Sequence, residues 1–180
     1  MMRLRRLIAK SWRLSLVFYS LRGRPLSGLA HEEVWYLAYG ANMHNGAFRE
    51  RRGMQPLEWR AGRIFGYRLR FNLDGRPIGK SAPANIEPDP NGEVWGVLYR
   101  LTRHQLVQLD ATEGTRYRHA WAKGEDKDGR PLEVVTYMAK GNEKDGNPSL
   151  RYITLLRDGA REHGLPEHWL KKLGAMKHAK

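Results

Sequence analysis

The chain has 180 residues, 41% of them hydrophobic, with six tryptophans, no cysteine and a formal net charge of +13. Length and composition predict one globular domain with a sizeable core and exclude a disordered chain. The absence of cysteine excludes disulfides, thiolate metal sites and a cysteine nucleophile.

The basic excess is uneven, and it predicts attraction to anionic partners without naming one. Residues 1–30 hold Arg3, Arg5, Arg6, Lys10, Arg13, Arg22 and Arg24 and no acid; the first carboxylate is Glu32. A helix through this segment gathers Leu4, Leu7, Ile8, Trp12, Leu14 and Phe18 on one side and Arg3, Arg6, Lys10 and Arg13 on the other. That basic amphipathic pattern suits an acidic membrane surface. The apolar run from Leu14 to Leu21 is too short to span a bilayer, and no small-x-small cleavage site follows it cleanly. A solvated or core-packed helix, or a start codon placed upstream of the domain, accounts for the same pattern. Residues 1–30 are therefore read as an extension to a domain of residues 31–180.

Val34-Trp35-Tyr36-Leu37-Ala38-Tyr39 is an apolar run stopped by Gly40, and predicts a buried strand. Asn45 is placed to cap a short helix through Phe48 to Arg52, closed by Gly53. Gly62 to Asn72 reads as a second strand, followed by turn chemistry at Asp74-Gly75-Arg76-Pro77. Gly79 to Pro90 reads as a loop with a short extended piece. Glu93 to Arg100 predicts a central strand with Trp95, Val97 and Tyr99 on one face. Thr102 and Gln105 make a capping box for a helix ending near Asp110. Tyr117 to Ala122 and Leu132 to Met138 form a hairpin around Asp128-Gly129. Ser149 caps a helix on which Tyr152, Ile153, Leu156, Ala160 and His163 recur, ended by Gly164. Pro166 starts a last helix closed by Gly174. This order predicts an α+β domain with a mainly antiparallel sheet or small β-barrel and flanking helices.

Two short segments carry candidate chemistry. Tyr39-Gly40-Ala41-Asn42 lies at a strand end leading into a helix. Gly40 permits backbone geometry closed to other residues, so the amides after it can converge on a carboxylate or oxyanion, and Asn42 adds a neutral donor. An ordinary strand–turn–helix link has the same sequence. Leu109-Asp110-Ala111-Thr112-Glu113-Gly114 offers one acid, Glu113, at a helix end, where most acids are simply solvated. Tyr117 and Tyr152 can add hydroxyls to a pocket, although Tyr152 also fits a purely packing role. The chain contains no HExxH, CxxC, GxSxG or phosphate loop, and its seven histidines are dispersed. These absences predict neither a metal site nor an organic cofactor.

Together the segments resemble the gamma-glutamylcyclotransferase family (AIG2-like superfamily). The family's Y-G-S-N strand end corresponds to Tyr39-Gly40-Ala41-Asn42. Glu93-Val94-Trp95-Gly96-Val97-Leu98-Tyr99, Leu109 to Gly114, Pro148-Ser149-Leu150-Arg151-Tyr152 and His163-Gly164-Leu165-Pro166 follow in the family's order. The resemblance covers roughly residues 34–175. It implies a small mixed fold around a β-barrel and the conversion of a γ-glutamyl amide to 5-oxoproline with release of the amine. It also implies that Glu113 is the acid–base, that Tyr39, Gly40, Ala41 and Asn42 hold the glutamyl part, and that Tyr152 borders the pocket. Tyr117 matches a pocket tyrosine only across a gap. Ala41 departs from the family's common serine: an amide cradle survives that change, and a hydroxyl contact does not.

The chemistry agrees with the resemblance. A γ-glutamyl amide carries its own nucleophile, the α-amine, so a chain without a cysteine or a serine triad needs only a proton shuttle and orientation. The expected partner is a small γ-glutamyl substrate and the expected location cytoplasmic. Weak peripheral contact with acidic membrane through residues 1–30 is allowed, as is a homodimer; no nucleic-acid motif is present. Two other readings stand beside this one. One is a γ-glutamylamine- or glutathione-directed cyclotransferase, or an enzyme removing a γ-glutamyl protecting group in biosynthesis. The other is a non-catalytic basic peripheral binding protein on the same scaffold.

Overall fold

The computed structural model describes residues 32–75, 81–113 and 115–179. The expectations for residues 1–30, for Arg76 and Pro77 of the first turn, and for Gly114 lie outside the described residues. The apolar run Val34–Tyr39 forms β1 (Glu33–Ala38). Antiparallel β3 (Asn85–Thr102) flanks it on one side, with Tyr36 opposite Tyr99 and Leu37 opposite Leu98. On the other side runs β5 (Pro131–Ala139), parallel to it through Trp35–Val134 and Tyr36–Val135. With β2 (Glu58–Arg70) and β4 (Tyr117–Asp126), the strands close into a barrel in the order β1-β3-β2-β4-β5. All pairings but β1–β5 are antiparallel, as the strand and turn pattern predicts.

Three strands run longer than the apolar pattern suggests. β2 starts at Glu58, because Arg60 bonds both Glu58 and Asp126 of β4. β3 absorbs Pro88 and Pro90, which read as loop. Residues 85–88 pair only with β2, since β1 reaches no further along β3 than Val97, so their other edge needs no N–H donors there. A bulge at Gly66, φ 79°, resets the β2–β3 register. The β4–β5 hairpin extends to Asp126, whose carboxylate accepts the N–H groups of Asp128 and Arg130 across the turn at Gly129. On β3, Trp95, Val97 and Tyr99 share a face as expected. Val94 and Leu98 on the opposite face are equally buried, because the barrel interior takes one face and helices cover the other.

Helix α1 (Arg103–Thr112) starts on the Thr102–Gln105 capping box. Helix α2 (Leu150–Glu162) starts at Ser149, whose hydroxyl accepts the Tyr152 N–H at 3.2 Å. Gly164, φ 59°, ends it, and α3 (Glu167–Gly174) follows Pro166. One helical expectation changes form. Asn45 does not cap with its side chain; its Oδ1 accepts from Arg49 Nε instead, and Gly46–Arg51 is a π-helical turn. Gly53, φ 67°, closes that turn as expected. Gly159 of α2 is required by close approach: a Cβ there would lie 2.5 Å from the His44 nitrogen. Backbone-to-backbone contact at this point seats α2 directly on the loop that follows β1.

Candidate active site

The loop leaving β1 makes a 3-10 turn at Ala41–Met43 and then the π-helical turn Gly46–Arg51, which Arg52 follows as its C-cap. Glu113 caps the C-terminus of α1, its N–H bonded to the Leu109 and Asp110 carbonyls. Tyr117 opens β4, and Tyr152 lies in the first turn of α2. These four places in the chain border one cavity of about 180 Å³, together with Tyr36, Tyr39, Pro83, Ala84 and Tyr137. That is smaller than the roughly 300–1,000 Å³ of pockets that enclose a drug-sized ligand. All seven residues singled out from sequence (Tyr39, Gly40, Ala41, Asn42, Glu113, Tyr117 and Tyr152) line it.

Glu113 is mostly buried, its side chain 11% exposed, and its two oxygens are unequal. Oε1 accepts from Asn42 Nδ2 at 2.9 Å and pairs with Arg52 Nη2 at 3.2 Å. Oε2 has no protein partner among the described residues. The Asn42 amide also donates to the Tyr36 hydroxyl at 2.9 Å. Asn42 is thus a holder of Glu113, where the sequence reading made it a free donor for a bound anion. The backbone N–H groups of Gly40 and Asn42 at the start of the 3-10 turn find no acceptor among the described residues, and the Ala41 N–H leans on the Tyr152 hydroxyl.

Gly40 needs a different explanation from the one its sequence context suggests. Its φ is −115°, a value open to any residue. The constraint is space: a Cβ would sit 3.0 Å from the Tyr152 hydroxyl and 3.5 Å from the Ala84 Cβ. Tyr152 and Tyr117 fix the opposite wall. The Tyr152 hydroxyl accepts the Ala84 N–H at 3.0 Å, and the Tyr117 hydroxyl donates to the Ala84 carbonyl at 2.8 Å. The Tyr39 hydroxyl donates to the Tyr137 carbonyl at 2.6 Å and so ties β1 to β5. Behind the cavity, buried Asp110 accepts from Tyr137 at 2.6 Å and His119 at 2.8 Å. Burial pushes the Tyr152 hydroxyl up to about 12 and lifts those of Tyr36, Tyr39, Tyr117 and Tyr137 well above the usual phenol range. They act as neutral hydroxyls at ordinary pH, which leaves Glu113 and Arg52 as the acidic and the basic residue of the lining among the described residues.

Sequence reasoning missed Arg52, Tyr36 and Tyr137. Arg52 sits among Arg49, Arg51 and Arg52, a run that reads as a solvated basic face, and the tyrosines read as core. Only the approach of the β1 loop to the end of α1 distinguishes them.

Residues 93–173 match the model of the AIG2-like family. The chain is 28% identical over 157 residues to the gamma-glutamylcyclotransferase of Bos taurus, covering 81% of this chain and 79% of that one. A solved gamma-glutamyl cyclotransferase superposes with a TM-score of 0.73 at 26% identity, over 83% of this chain and 90% of the other. Over most of its length the chain is similar to gamma-glutamylcyclotransferases. It is also 28% identical, over 163 residues, to the gamma-glutamyl cyclotransferase aclK of Aspergillus oryzae, covering 78% of this chain and 60% of that longer relative. The AIG2-like match takes in Glu113, Tyr117 and Tyr152 but not the loop of Tyr39–Asn42, which reaches the same cavity from the other end of the chain.

Proposed function

We propose that the protein cyclises γ-glutamyl amides to 5-oxoproline, with Glu113 as the single acid–base and no metal or organic cofactor. One observation carries this reading: a mostly buried carboxylate has one oxygen tethered by Asn42 and Arg52, and its other oxygen is left without a protein partner among the described residues in a cavity of about 180 Å³. The α-amine of the substrate attacks the γ-carbonyl carbon. Glu113 takes the proton that the attacking nitrogen loses as the new C–N bond forms. The tetrahedral intermediate then expels the amine, which receives that proton from Glu113, and the carboxylate is regenerated. The Gly40 and Asn42 amides are suited to the anionic oxygens of the glutamyl group. The Ala84 segment, fixed by Tyr117 and Tyr152, bounds the folded substrate, and holding it folded supplies proximity. The small cavity encloses the glutamyl part, so the leaving amine is not chosen by the lining described. Amino acid, simple amine and glutathione leaving groups remain alternatives for a substrate panel.

The test is 5-oxoproline release across γ-glutamyl amino acids, γ-glutamylamines and glutathione, for the parent and Glu113→Gln. Glutamine keeps the shape and cannot carry the proton, so turnover is expected to fall by about 10²–10⁴-fold with unfolding unchanged. Activity within about tenfold of the parent would remove Glu113 from the reaction.

Residues 1–30 form the second part of the proposal: a basic extension that contributes weak attraction to acidic membranes and nothing to cyclisation. The support is the sequence, seven basic residues and no acid. No helix among the described residues is long and apolar enough to cross a membrane. A chain beginning near His31 is expected to turn over normally and to co-sediment less with anionic vesicles, the difference shrinking with added salt. Equal sedimentation of the two chains would eliminate the membrane role.

A further inference from the structure

Arg52 is the one cation of the cavity lining among the described residues, and a carboxylate shuttling a proton does not by itself require it. We propose that Arg52 is a positioning residue for the cyclisation: it holds Oε1 of Glu113 so that Oε2 alone is presented to the substrate amine. The inference rests on the acid–base role given to Glu113 above.

Glu113 is placed where a carboxylate is poorly accommodated. It follows the last residue of α1, and a helix C-terminus carries the equivalent of roughly half a negative charge on its free carbonyls. Those carbonyls disfavour an anion there and favour a cation. Asn42 offers Glu113 a hydrogen bond and no charge. Arg52 offers both, from the position just after the π-helical turn. Its Nη2 lies 3.2 Å from Glu113 Oε1, and its Nη1 donates to the Thr112 hydroxyl. The Thr112 hydroxyl in turn donates to the Leu109 carbonyl at 2.8 Å. The guanidinium therefore spans the frayed end of α1, gripping the side chains of two consecutive residues. A planar fork suits this task, because each Nη has its own direction and the two contacts fix the group's plane.

The arrangement acts on one oxygen only. Asn42 and Arg52 both reach Oε1, from two points of the same loop, and no hydrogen bond from a described residue reaches Oε2. That loop is itself held: α2 rests on the Met43–His44 backbone through Gly159, and the Met54 N–H closes onto the Phe48 carbonyl. Removing the guanidinium leaves the carboxylate on a single neutral tether, with freedom to rotate Oε2 out of line. Misplacement of this kind lowers the rate of an oriented reaction while ground-state binding persists.

The experiment uses the full chain and its best γ-glutamyl substrate. Arg52→Ala is expected to lower kcat by about 30–100-fold with KM changed by less than about threefold. Arg52→Lys should restore part of the loss, and millimolar guanidinium chloride should rescue Arg52→Ala saturably where sodium chloride does not. A kcat near the parent's, or a KM rise with kcat preserved, would overturn the proposal, the latter by making Arg52 a substrate-binding residue. A second readout needs no turnover. In thermal unfolding, Arg52→Ala, Glu113→Gln and the double variant should show losses smaller together than the sum of the singles; additive losses overturn the pairing. A parent that releases no 5-oxoproline from any γ-glutamyl compound would instead sink the proposed function, whatever the unfolding cycle shows.

Discussion

Asn42→Ala isolates the neutral tether of Glu113. Asn42 is 6% exposed, and its amide makes two bonds at 2.9 Å, to Glu113 Oε1 and to the Tyr36 hydroxyl. The first involves an ionised acceptor and contributes about 1.5–3 kcal/mol; the second is neutral and contributes about 0.5–1.5 kcal/mol. The Asn42 Oδ1 has no hydrogen-bond partner among the described residues, so its removal adds no further loss. Arg52 still holds Glu113, which favours the lower half of the summed range, about 2–3 kcal/mol. For a chain of this length each kcal/mol moves Tm by about 2–4 °C, so a fall of about 4–12 °C is expected. Domains are typically stable by about 5–15 kcal/mol, so the variant remains folded at room temperature. Catalysis should suffer more than folding: with Oε1 free to swing, kcat should drop by about 10–100-fold with KM little changed. Thermal unfolding and 5-oxoproline release on the same preparation measure both. A variant that loses several degrees and keeps kcat within about threefold would refute the claim that the Asn42 contact orients the acid–base.

Two further outcomes follow from the same geometry. Gly40→Val should raise KM by about tenfold or more, because its Cβ would press on the Tyr152 hydroxyl at 3.0 Å and disturb the Ala84 wall, with Gly40→Ala intermediate; an unchanged KM would show that this wall does not touch the substrate. His163 is buried against Trp59 and donates Nδ1–H to the Gly159 carbonyl, and burial lowers its pKa below the usual 6.5. The unfolded chain therefore takes up this proton first as pH falls. The stability His163 contributes is complete above about 6.5 and is lost as pH falls through the lowered folded value, with a slope of at most about 1.4 kcal/mol per pH unit. Tm measured between neutral and mildly acidic pH should fall less steeply for His163→Phe than for the parent, and identical slopes would exclude a neutral buried His163.

The sequence by itself determined much of this protein, wherever information is local. The apolar run of β1, the capping box at Thr102, the cap at Ser149, and the turn glycines at 53, 129 and 164 act through near neighbours, and the structure has them where the sequence puts them. The strand lengths were less legible. Residues 85–92 carry two prolines and four polar side chains, and they become strand only because one edge there has no partner strand to satisfy. The site divides along the same line. Glu113, Tyr39 to Asn42, Tyr117 and Tyr152 stand in short segments that mark themselves, and all seven residues meet in one cavity. Their relations do not stand in any segment. That Asn42 serves Glu113, that Gly40 is required for space and not for φ, and that Arg52 is a counter-ion where its neighbours are exposed all depend on contacts between residues far apart in the chain, 71 positions in the case of Asn42 and Glu113. Local preference selects a turn or a helix end. Only closure of the barrel, with α2 seated on the loop after β1, sets how far that loop lies from the end of α1, and at hydrogen-bond range a shift of one ångström separates a held carboxylate from a free one.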